Sequence, residues 1–231
     1  MKKKFDLSIV IPVYNEKKNL KKLIEQIEKY TKNLNKEIII VDDNSNDGSY
    51  EEIKKIRNKS LKFLIRNSQI RDLSKSCIYG FNLSRSDNIL VMDGDLQHDP
   101  MYISKMYANY INNDLDILVA SRNFKKAEYR LIRKLISIIL NKFINFFLKY
   151  KVSDPLSGFF IFRKKIFLKN KKKLYGYGYK ILMDLIYNSQ DKIKIDEMLI
   201  VFNKRFKEKS KLNIKVLIHL IKFVFLKKVN Y

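Results

Sequence analysis

Two carboxylates separated by a single glycine, Asp93 and Asp95, follow a short apolar run at residues 89–92. The run has the length and branching of a buried strand, and alternation along an extended chain points both carboxylates the same way. Gly94 leaves room for another group to approach the backbone closely. Two hard oxygen ligands at the end of a strand suit a divalent cation that also holds phosphates. The alternative is an acidic turn that merely closes the strand, because Asp and Gly are common turn residues.

Apolar runs of strand length alternate with helix-patterned segments through the first half of the chain. The pattern predicts strands at 7–13, 37–42, 61–66, 89–92 and 116–121, and helices at 19–30, 49–57, 73–84 and 101–112. Strands separated by helices of this length indicate an α/β fold with a mainly parallel, doubly wound sheet flanked by helices.

Polar residues follow four of these strands directly, at positions 13–16, 42–43, 93–95 and 121–122. Sheets of this kind bind ligands in the crevice beyond the carboxyl ends of their strands. Four clusters on one edge are hard to explain as separate turns. The sequence therefore predicts a site at this edge, with the Asp93–Asp95 pair as its cation-binding part.

Composition bounds the fold and its environment. The chain of 231 residues fits one large domain, or one domain with an appended piece, and 15 Phe and 14 Tyr supply an ample core. Cys77 is the single cysteine, so the chain has no disulfide framework and a reducing cytosol is the natural compartment. His98 and His219 are far apart in sequence and form no zinc motif.

Positive charge is concentrated in the second half. Residues 1–119 hold 20 Lys and Arg against 17 Asp and Glu, whereas residues 120–231 hold 28 against 7. A basic half implies an anionic partner, either nucleic acid or a membrane surface. A nucleic-acid-binding protein is disfavoured, because the chain has no Trp and no recognised nucleic-acid motif, and its positive charge lies within apolar helical segments.

Two basic amphipathic segments, 131–150 and 213–229, follow the predicted sheet strands. Such segments suit helices that lie in a membrane interface. The first is equally consistent with packing against the core or a second subunit, and the second favours the membrane. No run of about 18 uncharged apolar residues occurs, so no membrane-spanning helix is expected. The N-terminus is interpreted as a first strand and not as an export signal.

Several motifs, in unbroken order from about residue 7 to 211, resemble those of family 2 glycosyltransferases. More narrowly, the chain resembles polyprenol-phosphate (dolichol-phosphate) mannosyltransferases and their bacterial relatives. The motifs are Ile11-Pro-Val-Tyr-Asn-Glu16, Ile40-Val-Asp-Asp-Asn-Ser-Asn-Asp-Gly-Ser49, Val91-Met-Asp-Gly-Asp-Leu-Gln-His98, Ser121-Arg122, Arg133-x-x-x-Ser137, Ser153-Asp-Pro-Leu-Ser-Gly-Phe-Phe160, Gly178-Tyr-Lys180 and Arg205-x-x-x-x-Ser210-Lys211.

The resemblance implies a GT-A nucleotide-sugar-binding fold over residues 1–211. A nucleotide and metal half would cover about 1–120, an acceptor half about 121–211, and an amphipathic membrane-interface helix would occupy 212–231. The implied activity is inverting transfer of one sugar, mannose by default, from a nucleoside diphosphate sugar to polyprenyl or dolichyl phosphate. The donor base and sugar stay open between GDP-mannose and UDP-sugars.

The resemblance also assigns roles to individual residues. Pro12, Tyr14, Glu16 and Asp43 would hold the nucleoside; Asp93, Asp95 and Gln97 would bind Mg²⁺ or Mn²⁺ and the diphosphate; Arg122, Arg133 and Ser137 would hold the acceptor phosphate; Lys180, Arg205 and Lys211 would add positive charge near the reacting phosphates. Asp95, Arg122 and Arg133 are the expected catalytic residues.

This assignment is chemically coherent. Breaking a sugar–diphosphate bond builds negative charge on the leaving group, which a metal neutralises without proton transfer. A lipid phosphate is already anionic, so it needs positioning more than deprotonation, and the planar fork of arginine suits that task. The competing hypothesis is sugar transfer to a hydroxyl of a surface polysaccharide or lipopolysaccharide. That reaction needs a general base, and Asp184, which we interpret as structural, is the single candidate.

Further residues and the mode of membrane attachment are also interpreted from the sequence. His98 is interpreted as a surface or supporting residue and not as a ligand, Asp99-Pro100 as a helix start, and Asp154-Pro155 as a turn. Asp72 stands where relatives usually have glycine, which would alter the loop beside the nucleotide. Attachment to the cytoplasmic face of the membrane is expected to be peripheral or through a separate membrane partner.

Overall fold

The computed structural model describes residues 5–68, 70–122, 150–178, 181–189 and 192–202, with Arg122 described in its backbone only. In these ranges seven strands form one sheet: β1 (Leu7–Val13), β2 (Lys36–Asp42), β3 (Leu61–Ile65), β4 (Asn88–Val91), β5 (Ile117–Arg122), β6 (Phe160–Arg163) and β7 (Ile195–Ile200). The helices there are α1 (Lys17–Tyr30), α2 (Ser49–Lys54), α3 (Leu73–Leu83), α4 (Ile103–Asn112), α5 (Lys164–Asn170) and α6 (Ile181–Asn188), with 3₁₀ turns at Pro100–Tyr102 and Lys171–Lys173.

The sheet has the strand order β3-β2-β1-β4-β6-β5-β7. Every neighbouring pair is parallel except those that involve β6, which runs antiparallel to both β4 and β5. The predicted mainly parallel sheet is therefore confirmed, and the five strands predicted from the first half all occur. Strands β6 and β7 were not predicted.

Helices cover both faces of the sheet, because its central strands are apolar on both sides. Helices α1, α2 and α4 pack on one face through Leu20, Ile53 and Met106. Helices α3, α5 and α6 pack on the other through Phe81, Phe167 and Leu185. Among the described residues no helix is both long and apolar enough to cross the bilayer.

A buried carboxylate fastens the amino ends of the strands, opposite the predicted site. Glu37 at the start of β2 accepts hydrogen bonds from Ser8 Oγ (2.7 Å) and from Lys62 Nζ (2.8 Å). The backbone amide and Nε of Arg85 donate to the same carboxylate, at 2.5 Å and 3.1 Å. Burial raises the pKa of Glu37, but the hydrogen bonds from Lys62, Ser8 and Arg85 outweigh it, and the pKa lies below its ordinary value.

We expect Glu37→Gln to lower the free energy of unfolding by about 2 kcal/mol at neutral pH, because an amide cannot accept all four of these bonds. Since the folded pKa is depressed, the stabilisation is complete above the ordinary pKa of about 4.5 and is lost as pH falls below it. The wild type should therefore lose stability more steeply than the variant on acidification. Urea unfolding across that pH range measures both. Glu25→Gln, at an exposed position on α1, is the matched control, and equal effects of the two substitutions would contradict the assignment.

Candidate active site

The carboxyl ends of β2, β1 and β4 lie side by side, as predicted. Val13 pairs with Asp42 across β1 and β2, and Val10 pairs with Val91 across β1 and β4. Gly94 packs directly against the end of β1: an added Cβ there would lie 2.8 Å from Val13 Cγ1 and 3.7 Å from Glu16 Cγ. The expected close approach at Gly94 is therefore confirmed, and it brings Glu16 beside the Asp93–Asp95 turn.

Hydrogen bonds join the loops that follow β1 and β2. Asn15, at φ 55°, donates its amide to Ser45 Oγ (2.8 Å) and accepts the amide of Asn46 on its side chain (3.1 Å). The Lys17 amide at the start of α1 donates to Asp47 Oδ2 at 3.0 Å. These bonds fix the turn that carries Tyr14 and Glu16. Glu16 Oε2 accepts from Asn19 Nδ2 at 2.6 Å.

Two neighbouring aspartates end β2, and they have different surroundings. Burial raises the pKa of Asp42, hydrogen bonds from Ser45 oppose that rise, and the nearby charges of Asp47 and Asp43 add to it. Asp43 is buried and pairs with the guanidinium of Arg66, and its Oδ2 accepts the Asp72 amide at 2.6 Å. The pair fixes Asp43 and places a guanidinium group beside the end of β2.

Arg66 was not identified from the sequence, although it follows β3 as Asp43 follows β2, and that position was the available signal. Close by, the Arg71 guanidinium carbon lies 4.2 Å from the centre of the half-exposed Tyr14 ring. Pro12 is buried within β1, where it pairs with Val41. Of the four residues predicted to hold the nucleoside, Tyr14 and Glu16 are therefore accessible, whereas Pro12 and Asp43 are buried.

Asp93 is supported from two sides. His98 is buried, and its Nδ1 accepts the Asp93 amide at 2.9 Å while its Nε2 lies 3.9 Å from Asp93 Oδ2. The imidazole stacks on Phe159 at 5.1 Å and meets Phe202 edge-on at 5.0 Å. The interpretation of His98 as a surface residue is wrong, and its supporting role is confirmed. On the other side, a Cβ at Gly158 would lie 2.9 Å from both carboxylate oxygens of Asp93.

The Asp93–Asp95 turn is compatible with a divalent cation. Leu96 takes φ 61°, and the Gln97 amide donates to Asp95 Oδ1 at 3.1 Å. Both carboxylates are partly exposed and offer the hard oxygen ligands that Mg²⁺ and Mn²⁺ prefer. In the part of the chain that the structure describes, no group of three or more His, Cys, Asp or Glu side chains could hold a metal alone. A cation held here would therefore complete its coordination with phosphate oxygens and water.

The end of β5 joins the same edge through the loop at 153–159. Ser157 Oγ donates to the Ala120 carbonyl (2.8 Å), and its amide donates to the Asp154 carbonyl (3.0 Å), which confirms the predicted turn. Glu197 on β7 accepts from the hydroxyl groups of both Ser121 and Ser153. This loop carries Gly158 to the carboxylate of Asp93, so β5 and β4 contribute to one site.

Several predicted residues lie outside the described side chains. The backbone of Arg122 ends β5 at the expected edge, and its side chain is among those not described. The others are Arg133, Ser137, Lys180, Arg205 and Lys211, together with both amphipathic segments, 131–150 (apart from Tyr150) and 213–229. Their roles stay predictions.

Asp184 is fixed in the interior. Its Oδ2 accepts the Gly176 amide at 2.9 Å, its Oδ1 accepts Asn188 Nδ2 at 2.8 Å, and its side chain is buried. The structural interpretation of Asp184 agrees with these contacts, which orient the loop before Gly178.

Asp72, the departure from the usual glycine, links three parts of the site. Its amide binds Asp43, its Oδ1 caps α3 by accepting the Lys75 amide (3.1 Å), and its Oδ2 accepts the Gly178 amide (2.7 Å). Ser74 completes the link, since its amide and hydroxyl group both donate to the Gly178 carbonyl. The carboxylate thus holds the loop that precedes Lys180 against the nucleoside side.

We expect Asp72→Ala to lower the free energy of unfolding by about 1–2 kcal/mol, because the helix cap and the Gly178 bond are both lost. Asp72→Asn separates these roles. Its amide oxygen still caps α3, but its NH₂ group cannot accept from Gly178. Amide hydrogen exchange should therefore quicken at Gly178 and not at Lys75 in the Asn variant, and at both in the Ala variant. Unchanged Gly178 protection in both variants would contradict the link.

A family model and curated relatives match most of this chain. The model described as "Glycosyl transferase family 2" matches residues 8–170. Dolichol-phosphate mannosyltransferase of Pyrococcus furiosus is 34% identical over 95% of this chain and 62% of its own length. The protein of the same name from Saccharomyces cerevisiae is 28% identical over 92% of this chain and 83% of its own length. The chain thus spans less than two thirds of the archaeal relative.

Solved structures share the fold. Glucosyl-3-phosphoglycerate synthase from Mycobacterium tuberculosis, in complex with Mn²⁺ and UDP-glucose, aligns with a TM-score of 0.69 at 13% identity, over 88% of this chain and 72% of that one. TarS 1-349 from S. aureus, in complex with UDP-GlcNAc, aligns with a TM-score of 0.62 at 18% identity. The alignment covers 89% of this chain and 60% of that one. At these identities the likeness concerns the fold alone, and it agrees with the predicted GT-A architecture.

Proposed function

Because this chain belongs to glycosyl transferase family 2, we propose that it transfers one sugar, mannose by default, from a nucleoside diphosphate sugar to polyprenyl or dolichyl phosphate at a membrane surface. The observation that carries the proposal is the 34% identity with an archaeal dolichol-phosphate mannosyltransferase over 95% of this chain. The shared edge formed by the ends of β1, β2 and β4 supplies a site of suitable chemistry.

On the donor side, the accessible Tyr14 and Glu16, together with Asp43 fixed by Arg66, would hold the nucleoside. Asp93, Asp95 and Gln97 would hold Mg²⁺ or Mn²⁺ with the diphosphate. The cation, when bound, offsets the negative charge that develops on the departing nucleoside diphosphate. The hydrogen bond to His98 fixes the backbone of Asp93, and the missing side chain of Gly158 leaves room for its carboxylate.

On the acceptor side, Arg122, Arg133 and Ser137 would hold the lipid phosphate, and Lys180, Arg205 and Lys211 would add positive charge. Since a phosphate monoester is anionic at neutral pH, positioning it in line with the anomeric carbon suffices and no general base is required. A single displacement inverts the anomeric configuration. These residues enter the proposal by resemblance.

Transfer to a sugar hydroxyl is the weaker alternative, because its single base candidate is unsuitable. Both carboxylate oxygens of Asp184 accept hydrogen bonds within the interior, one from the Gly176 amide and one from the Asn188 side chain. A general base has to reach the hydroxyl that it deprotonates. The buried position of Asp184 therefore favours the phosphate acceptor.

The proposal also covers the division of the chain into domains and its attachment to the membrane. Residues 1–211 would form the catalytic domain, with the donor half at about 1–120 and the acceptor half at about 121–211. The segment 212–231 would lie in the membrane interface as an amphipathic helix. Attachment would be peripheral, on the cytoplasmic face, directly or with a separate membrane protein.

A donor and acceptor screen tests the proposal. Purified protein is incubated with Mg²⁺ or Mn²⁺, polyprenyl phosphate, and GDP-mannose, UDP-glucose or UDP-N-acetylhexosamines carrying labelled sugars. We expect metal-dependent transfer of label from one donor to the lipid. If polyprenyl phosphate stayed unlabelled with every donor while a free sugar hydroxyl accepted the label, the proposed acceptor would be wrong.

A further inference from the structure

The two helical layers differ in charge. Helices α1 and α2 on one face carry exposed lysines together with Glu25, Glu51 and Glu52. On the other face, α3 and the segment 164–178 contain no Asp or Glu at all, and α6 contributes only the buried Asp184. The basic residues of that layer are Lys75, Lys164, Lys165, Lys169, Lys171, Lys172 and Lys173. One layer is thus of mixed charge, whereas the helices of the other expose lysines and no acidic side chain of their own; Lys165 pairs with Asp116, just before β5, at 2.9 Å.

Large apolar side chains are exposed among these lysines. Tyr79 and Leu83, four residues apart on α3, are each 40% exposed, and Leu168 on α5 is 58% exposed. Tyr177, in the loop before Gly178, is 43% exposed. Because residues four apart share one side of a helix, Lys75, Tyr79 and Leu83 form a stripe along α3.

Direct contacts make this one continuous surface. Lys171 Nζ donates to Asn82 Oδ1 at 2.6 Å, which joins the end of α5 to α3. At the other end of α3, Lys75 Nζ lies 4.0 Å from the centre of the Tyr177 ring. We define the lysine–tyrosine face by Lys75, Tyr79, Leu83, Leu168, Lys169, Lys171, Lys172, Lys173 and Tyr177.

We propose that the lysine–tyrosine face docks on the anionic surface of a lipid bilayer. Clustered lysines gain energy from anionic headgroups, and Tyr and Leu side chains bury their apolar parts at the headgroup boundary. The absence of acidic residues from the face removes the repulsion that such a surface would otherwise meet. None of the residues that define the face lies in the segments 131–150 and 213–229.

The face also reaches the candidate active site. Tyr177 precedes Gly178, whose amide binds Asp72 at the nucleoside side. Docking would therefore bring the carboxyl edge of the sheet close to phosphates of the membrane. The inference rests on the membrane location in the proposed function and deepens it, since it names the surface of the protein that binds the membrane.

The test compares two triple variants with the same change in net charge. K169Q/K172Q/K173Q removes three of the five lysines of the face, and K18Q/K21Q/K22Q removes three exposed lysines of α1 on the opposite layer. Binding is measured by co-sedimentation with vesicles that contain about 30% phosphatidylglycerol in phosphatidylcholine. A lysine near an anionic membrane contributes about fivefold in partitioning, so we expect the first variant to bind about 100-fold more weakly. The α1 variant should bind within about threefold of the wild type.

A second pair of variants tests the apolar contribution. Y79S/L168S should weaken vesicle binding even at high salt, where electrostatic attraction is screened. Y30S/M101S, at exposed positions on the opposite layer, should leave it unchanged. Near-ultraviolet circular dichroism of all four variants verifies that the fold is retained.

Equal weakening by the two triple variants would overturn the proposal, because it would mean attraction by net charge alone. The proposal would also be overturned if K169Q/K172Q/K173Q bound vesicles as the wild type does but no longer bound duplex RNA, because the face would then recognise nucleic acid and not lipid. Transfer to a short-chain, water-soluble polyprenyl phosphate without vesicles should be the same in the triple variant and the wild type. That assay separates the docking inference from the proposed function. If only the docking inference is wrong, the wild type still transfers sugar to the soluble acceptor. If the proposed function is wrong, the wild type shows no transfer either.

Discussion

Replacing Asp95 with Ala or with Asn is expected to lower kcat/KM for sugar transfer by about 10³-fold, with no loss of fold. The loss would reflect a missing cation ligand beside the departing diphosphate. The Asn variant separates this role from a structural one, because an amide oxygen can still accept the Gln97 amide that Asp95 Oδ1 accepts at 3.1 Å. Asn should thus preserve the turn and abolish the metal affinity.

Two measurements check this expectation. Steady-state kinetics across Mg²⁺ and Mn²⁺ concentrations give the loss of activity, and calorimetric titration of Mn²⁺ in the presence of a nucleoside diphosphate gives the metal affinity. Asp99→Asn, four residues away, is the control, since Asp99 caps the 3₁₀ turn at Pro100–Tyr102 and Asn caps equally well. Activity of Asp95→Asn above a tenth of the wild type would restore the interpretation of the pair as an acidic turn.

Gly158→Ala should damage the site at Asp93 itself. The new Cβ would lie 2.9 Å from both carboxylate oxygens of Asp93, a separation that forces the carboxylate or the loop to move. We expect a fall in kcat/KM of about 10²-fold, together with a loss of about 1–3 kcal/mol in the free energy of unfolding.

A double-mutant cycle identifies the cause of that loss. In an Asp93→Ala background the carboxylate is absent, so the methyl group that Gly158→Ala introduces has room and should add almost no cost to the free energy of unfolding. Urea unfolding of the four proteins measures the coupling. If the two substitutions were additive, Gly158 would matter for the conformation of its own loop and not for its approach to Asp93.

The sequence predicted the donor half of the fold because periodicity and strand-end chemistry agree there. Each of β1 to β5 is a short apolar run, and charged residues lie at or just after the ends of β2, β4 and β5. Strand β6 escaped prediction because Phe160–Arg163 is a four-residue run that begins at the last residue of a motif interpreted by its loop chemistry. Strand β7 carries acids at Asp196 and Glu197, and it is recognisable only through its pairing with β5.

Site residues that act through others were harder to predict than those that bind ligands. The approach of Gly158 to Asp93 depends on tertiary packing that no local spacing encodes. The hydrogen bond from the Asp93 amide to His98 is local, five residues along the chain, but the burial of that histidine was not predicted. Arg66 could have been identified from the sequence, since it directly follows β3, at the edge where the other strands place their polar residues. Asp72 was noticed as a departure from relatives, but its bridge to Gly178 spans more than a hundred residues of sequence.

The antiparallel strand β6 has a consequence for how the chain folds as it is synthesised. Strands β1 to β4 are neighbours that need no later strand to pair with one another, yet β4 takes β6 as its other neighbour. The strands that flank β5, which are β6 and β7, both come later in the chain. A nascent chain that has not yet reached Arg163 therefore exposes an apolar edge of β4 and an unpaired β5. Such edges invite association with other chains, so synthesis paused before β6 leaves the protein most vulnerable to aggregation and most dependent on chaperones.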